Sequence, residues 1–154
     1  LGRIRLSRPH PPNPSRPMRF EHFALNVPAP REMALWYAEH LEFKILRAHD
    51  TGALAHFLGD DTGRVCFEIY HNPAAPVPDY TAIAPLTLHF AVFSTDARSL
   101  RARLVAARAT LLTEDTLPDG SVLVMLRDPW GVPLQICQRA TPFPGFQPLP
   151  SSGP

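Results

Sequence analysis

Four polar residues occur at equal spacing in the two halves of the chain and could together bind a divalent metal ion. His22 and His89 are 67 residues apart, and so are Glu68 and Gln135. In each half, a histidine is therefore followed 46 residues later by a side chain with an oxygen donor. Imidazole nitrogens combined with carboxylate and amide oxygens suit nickel, cobalt, manganese, iron or zinc better than calcium or magnesium. One such ion would keep positions open for a substrate that offers two adjacent oxygens.

The sequence around each histidine repeats as well. His22 and His89 each begin the motif His-Phe-Ala followed by an aliphatic residue. In the segment 20–27, the apolar residues Phe23, Leu25 and Val27 alternate with His22, Ala24 and Asn26. This alternation is the pattern of a strand with one buried face. We therefore expect both histidines to lie within strands, on the face turned away from packed helices.

Each half of the chain predicts a strand, a helix and three further strands. Pro28 and Pro30 end the first strand and favour the first turn of a helix, while Thr95 and Asp96 are suited to cap the second helix. The same order in both halves indicates an internal duplication. The first helix is predicted at 31–41, and the strands at 20–27, 43–47, 53–58, 65–70, 87–93, 111–113, 122–126 and 132–137.

The predicted fold class is α+β. Two tandem βαβββ modules set side by side would form one cup-shaped mixed β-sheet with the helices on the outside. All four candidate metal ligands would then point into the cup. By the same alternation, Asn26, Tyr70 and Phe93 lie on the ligand side, and we expect them to contact a bound substrate.

The chain length suits a single domain, flanked here by two segments rich in proline. We expect the domain at residues 18–142, with module one at 18–71, a linker at 72–85 and module two at 86–142. Residues 1–17 form an arm rich in Pro and Arg, and residues 143–154 form a tail. Both segments are expected to be disordered, and Met18 is a possible start of the natural chain.

Composition narrows the partners and the compartment. Four arginines precede Met18 and every acidic residue follows it, so the domain has no basic face to attract nucleic acid. No apolar run reaches the length of a membrane span. Two cysteines are too few for a disulfide framework. We therefore expect a cytoplasmic protein that acts on a small molecule.

These motifs resemble those of the vicinal oxygen chelate superfamily. Its members include glyoxalase I, methylmalonyl-CoA epimerase, bleomycin resistance proteins, fosfomycin resistance enzymes and extradiol dioxygenases. The resemblance implies one divalent metal ion, ligands on the first and last strand of each module, and a homodimer. It is carried by the segments 21–27, 67–70, 88–92 and 128–135.

The resemblance to glyoxalase I implies a role for each candidate ligand. Members of that kind have His or Gln, Glu, His and Glu at these positions, so His22, Glu68 and His89 match while Gln135 departs. An amide oxygen can bind a metal but cannot accept a proton from the substrate. The resemblance therefore implies that Glu68 is the catalytic base.

Three functions fit the resemblance. The first is a lyase or isomerase similar to glyoxalase I, also called lactoylglutathione lyase, which moves a proton on a metal-bound substrate. The second is a non-catalytic protein that sequesters a drug or other small molecule in the cup, and Gln135 in place of an acid favours it. The third is an Fe(II) dioxygenase that uses His22, His89 and Glu68, although extradiol dioxygenases have their ligands in a different order.

Overall fold

The computed structural model describes residues 19–143 and residue 146, so the predicted arm at 1–17 and most of the predicted tail lie outside the described residues. The order of one strand, one helix and three strands occurs twice, as predicted. No helix within the described residues is long and apolar enough to cross a lipid bilayer. The elements are β1 (Phe23–Asn26), α1 (Pro30–Leu41), β2 (Lys44–Ala48), β3 (His56–Gly59), β4 (Val65–Tyr70), β5 (Phe90–Phe93), α2 (Ala97–Ala106), β6 (Thr110–Thr116), β7 (Val122–Arg127) and β8 (Pro133–Gln138).

Each module forms its own four-stranded mixed sheet. In the first sheet β1 is parallel to β4 and the strand order is β1-β4-β3-β2. In the second sheet β5 is parallel to β8 and the order is β5-β8-β7-β6. The predicted α+β fold of tandem βαβββ modules is confirmed. The described residues form two sheets, and β1 and β5 each lie at an edge.

The strands that follow the two histidines begin later than the sequence predicts. β1 and β5 each begin one residue after the histidine, so His22 and His89 precede their strands instead of lying within them. A turn accounts for the late start of β5, because the N–H of Thr87 donates to the carbonyl of Ala84 at 2.8 Å. Backbone groups used in this turn are not available to extend the strand ladder.

The two modules pack against each other through the sides that carry the helices. Tyr37 of α1 is fully buried, and its ring lies edge-on to that of Phe90 at a centroid distance of 5.6 Å. The rings of Phe67 and Phe90, one from each sheet, are 4.7 Å apart. The indole N–H of Trp36 donates to the carbonyl of Ala107, just after α2, at 2.9 Å. The other side of each sheet is therefore separate from the shared core.

A buried hydrogen bond also joins the modules. The hydroxyl of Tyr37 donates to Oδ2 of Asp128 at 2.6 Å, while Oδ1 of Asp128 accepts the N–H groups of Trp130 at 2.9 Å and Val132 at 2.8 Å. Burial raises the pKa of Asp128 from its usual 3.8 to about 6, because it disfavours the carboxylate more than these hydrogen bonds favour it. The carboxyl group of Asp128 consequently holds its proton more tightly in the folded chain than in the unfolded one.

This difference predicts that the chain loses stability as the pH rises through the mildly acidic range. The contribution of Asp128 should be fully present below its usual pKa of 3.8 and be lost as the pH passes about 6. The full change is on the order of 3 kcal/mol. Urea denaturation across this range, with wild type beside Asp128→Asn, measures it, and the variant should show a flatter dependence. The same slope in both proteins would contradict the assignment.

Candidate metal centre

His22 and Glu68 come together at the open side of the first sheet. The register of β1 against β4 pairs Ala24 with Glu68, which sets the histidine two residues before Ala24 close to the same carboxylate. Nε2 of His22 lies 3.2 Å from Oε2 of Glu68, and the two side chains are 28% and 20% exposed. Two donors at this separation, partly open to solvent, can bind one metal ion, so the residues fit the predicted cofactor.

A second carboxylate orients the imidazole of His22. Nδ1 of His22 lies 2.5 Å from Oε2 of Glu21, which is itself well exposed. A carboxylate at Nδ1 would hold a proton on that nitrogen when Nε2 binds a metal ion. Glu21 is thus a positioning residue that the sequence pattern did not single out, although it stands directly before the repeated motif.

The neighbours of Glu68 on this side follow from the strand register. Glu68 lies between Ala24 of β1 and Phe57 of β3, and Phe57 is paired with Arg47 of β2. Directly paired residues point to the same side of a sheet, and we call this side the cup face of module one. The ring of Phe57 lies edge-on to that of His22 at 6.0 Å, so an aromatic wall stands beside the candidate ligands.

The corresponding strands of module two carry different side chains at the paired positions. Gln135 lies between Ala91 and Met125, and Met125 is paired with Thr113 of β6. These residues define the cup face of module two. Oε1 of Gln135 accepts a hydrogen bond from the thiol of Cys137 at 3.2 Å. The backbone therefore presents Gln135 in the same register as Glu68, as the internal duplication predicts.

His89 does not join the pair of His22 and Glu68 within the chain. It is exposed, and its Nδ1 lies 2.8 Å from the carbonyl of Pro85 in the preceding turn. Within residues 19–143 and 146, no group of three or more His, Cys, Asp and Glu side chains is arranged to hold a metal ion. One chain thus supplies separate parts of the predicted ligand set, one on each module.

The three predicted substrate contacts have different surroundings. Tyr70 is half-buried and is paired with Asn26 at the end of the cup face of module one. Phe93 is half-buried in module two, where its ring lies 5.7 Å from that of Phe146. Asn26 is buried, and its amide is occupied by the linker. Tyr70 and Phe93 remain accessible to a ligand, whereas Asn26 has a structural partner.

Asn26 fastens the linker to the first strand. Its Nδ2 donates to the carbonyls of Asn72 at 3.2 Å, Ala75 at 3.0 Å and Pro76 at 3.4 Å. Its Oδ1 accepts the N–H of Asn72 at 2.8 Å. Both ends of the amide are therefore used to fix the start of the linker.

Replacing Asn26 by Asp should destabilise the chain, because a carboxylate keeps the acceptor but cannot donate to three carbonyls. We expect a loss of about 1–3 kcal/mol in the free energy of unfolding. Denaturant titration measures it, with Asn72→Asp as the control. The Asn72 side chain is exposed, and its one hydrogen bond to a described residue accepts the N–H of Ala74, which a carboxylate can also accept, so its variant should change stability little. Equal stability of the two variants would be the opposite result.

The two cysteines have no features of nucleophiles. Burial raises the pKa of the Cys66 thiol and that of the Cys137 thiol. The thiol of Cys66 donates to the carbonyl of Leu58 at 3.5 Å, as that of Cys137 does to Gln135. Protonated, hydrogen-bonded thiols are typical of cysteines that serve as small packing residues.

The fold is two paired βαβββ modules, each with a histidine just before its first strand and an oxygen donor on its last strand. Residues 19–136 match the model of the Glyoxalase/Bleomycin resistance protein/Dioxygenase superfamily, and the chain belongs to that superfamily. The resemblance predicted from the motifs is therefore confirmed. No curated protein matches the sequence.

Solved structures show the same fold at low sequence identity. Lactoylglutathione lyase from Agrobacterium tumefaciens is 16% identical, with a TM-score of 0.57 over 79% of this chain and 93% of that chain. The trypanothione-dependent glyoxalase I of Leishmania major is 22% identical, with a TM-score of 0.62 over 79% and 86%. TnmS3, an antibiotic binding protein from Streptomyces sp. CB03234, is 14% identical, with a TM-score of 0.58 over 78% and 94%. The same fold thus occurs in enzymes and in a binding protein.

Proposed function

We propose that this protein is a metal-dependent enzyme of the glyoxalase kind, a lyase or isomerase that moves a proton on a substrate bound through two adjacent oxygens. The observation that carries the proposal is the pair of His22 and Glu68, whose donor atoms lie 3.2 Å apart on the partly open cup face. Membership of the superfamily supports the same conclusion. The proposed cofactor is one divalent ion, of nickel, cobalt, manganese, iron or zinc.

His22 and Glu68 would hold this ion from module one, and His89 and Gln135 from module two. A divalent ion supplies a Lewis acid that stabilises negative charge developing on the two substrate oxygens. The carboxylate of Glu68 accepts a proton from the substrate carbon and returns it to the adjacent carbon, so that no net proton is gained or lost. The amide of Gln135 cannot accept a proton and so cannot act as the base. Phe57, edge-on to His22, excludes water from one side of the substrate.

The separation of His89 from His22 and Glu68 supports a homodimer in which module one of one copy faces module two of the other. Among the described residues, β1 and β5 are edge strands, and each begins directly after a candidate histidine ligand. Large apolar side chains are exposed beside both histidines, with Phe20 at 69% and Leu86 at 92% exposure. Exposed apolar residues beside unpaired strand edges are typical of a surface that another chain covers.

Metal binding by the full chain tests this proposal. We expect about one divalent ion per chain in wild type and a loss of at least about tenfold in affinity in His22→Ala. His40→Ala is the matched control, because His40 lies on α1, away from the cup face. A folded wild-type protein that binds no divalent metal would overturn the enzyme proposal.

A second candidate function is sequestration of a small molecule without turnover. It is favoured by Gln135, which stands where glyoxalase I-like members have an acid and whose Oε1 is already occupied by the thiol of Cys137. The similarity in fold to an antibiotic binding protein is compatible with it. Tight binding of a ligand by metal-free protein, without chemical change of that ligand, would support this alternative.

A further inference from the structure

The cup face of module one continues beyond Phe57 to a cationic outer strand. Arg47 of β2 is paired with Phe57, which in turn is paired with Glu68, so all three point to the same side. A β-bulge places Arg47 on this side. The register shifts between Ile45 and Arg47, so Leu46 is an extra residue and Arg47 points to the side opposite to that of Ile45. The guanidinium thus lies two strands from the candidate metal ligands.

His49 lies on the same side, just beyond the end of β2. Its N–H donates to the carbonyl of Ala55 at 2.9 Å, which continues the pairing of the hairpin. Its ring lies edge-on to that of Phe57 at 6.4 Å, and the ring of His22 also lies edge-on to Phe57, at 6.0 Å. In strand order, Phe57 of β3 lies between Glu68 of β4 and Arg47 of β2. Phe57 therefore stands between the candidate metal ligands and a wall formed by Arg47 and His49, which we call the basic wall.

The outer strand of module two has no matching cation. Thr113 of β6 is paired with Met125 and stands where Arg47 stands in module one. Asp115, paired with Leu123, corresponds to His49. Glu114 between them is held by Arg101 and so faces α2, which leaves Thr113 and Asp115 on the cup face. The two outer strands thus differ in charge although the modules are duplicates.

Arg47 is available for a ligand, in contrast to another arginine near the cup. Arg127 donates to the carbonyls of Tyr80 at 2.7 Å, Ile83 at 2.8 Å and Gly131 at 2.9 Å, so its guanidinium holds the linker. No hydrogen bond or ion pair to another described residue holds the exposed guanidinium of Arg47. A single free guanidinium matches a monoanionic carboxylate, which it can bind with two parallel hydrogen bonds.

We propose that the substrate carries a carboxylate at the β2 end of the cup, bound by Arg47 with His49 beside it, and an apolar portion that lies over Phe57. This inference rests on the proposed function, because it takes the metal ligands as the other end of the substrate. Glu68 and Arg47 are two strand spacings apart, which is about 10 Å. The proposed substrate is therefore an acid whose carboxylate lies roughly that far from its two chelating oxygens.

Two chelating probes that differ only in the carboxylate test the inference. The full chain is loaded with Co(II) and titrated with dihydrocaffeate and with 4-ethylcatechol, which has the same diol and the same two side-chain carbons. Visible bands of cobalt report chelation, and calorimetry gives the affinity. We expect dihydrocaffeate to bind about fivefold more tightly, the factor for one partly exposed charge pair. Arg47→Gln should abolish the preference, and Arg47→Lys should restore part of it. Arg108→Gln is the control, because Arg108 is an exposed arginine just after α2, and it should leave the preference unchanged.

Equal affinity of wild type for the two probes, or an unchanged preference in Arg47→Gln, would overturn the inference. If neither probe changes the cobalt bands, the proposed function fails, and the inference is then decided on metal-free protein. In that case NMR should show shifts at Phe57 and Arg47 with hydrocinnamate and none with its amide. Equal shifts with both compounds, or none with either, would overturn it.

Discussion

The Glu68→Gln variant should lose about 1000-fold or more in turnover when it is saturated with metal. The amide that replaces the carboxylate can still bind a metal ion but cannot accept a proton. Because Gln135 is also an amide, the variant would have no carboxylate among its four proposed ligands. Steady-state turnover of the methylglyoxal–glutathione hemithioacetal, measured over a range of metal concentrations, separates loss of the base from loss of the metal.

Two further variants make this result specific. Glu39→Gln removes an exposed carboxylate on α1 and should leave turnover and metal affinity unchanged. Gln135→Glu in the Glu68→Gln background returns one carboxylate to the site from the other module, and we expect it to recover part of the lost turnover. A Glu68→Gln variant as active as wild type would rule out Glu68 as the base.

The proximity of His22 and Glu68 was largely predictable from the sequence. The equal spacing of His22, Glu68 and their counterparts, with alternation of side chains along strands, predicted which residues share a face. The structure brings His22 and Glu68 within 3.2 Å of each other. Alternation fixes the side of a strand on which a residue lies, but it carries no information on how two sheets are joined. The separation of His89 from this pair therefore could not be predicted from either module alone.

Arg47 shows a second limit of alternation. In the predicted strand 43–47, strict alternation puts Arg47 on the same side as Ile45, which faces the buried Leu58. The extra residue Leu46 reverses the sides after it, and such a bulge leaves no clear signal in one sequence. Asn26 shows a third limit, since its side was predicted correctly while its partners are carbonyls of a linker 46 to 50 residues away.

The second large effect concerns assembly of the site from two copies. His22→Ala and His89→Ala should each abolish turnover, because each removes a proposed metal ligand from every site. If module one of one copy faces module two of the other, a dimer containing one chain of each variant has one site with both substitutions and one site with neither. Unfolding the variants together and refolding them should therefore restore about a quarter of wild-type turnover, since about half of randomly paired dimers are mixed.

The control is a mixture of His22→Ala with Glu68→Gln, which both alter module one. Every site in that mixture keeps one substitution, so no turnover should return. If the cup instead closed within a single chain, neither mixture would recover activity, because every chain would carry its own defect. Recovery in the first mixture alone would mean that His89 of one copy completes the site formed by module one of the other copy. The internal duplication would then supply two complementary parts of one site, and the edge strands β1 and β5 would be the surfaces that bring them together.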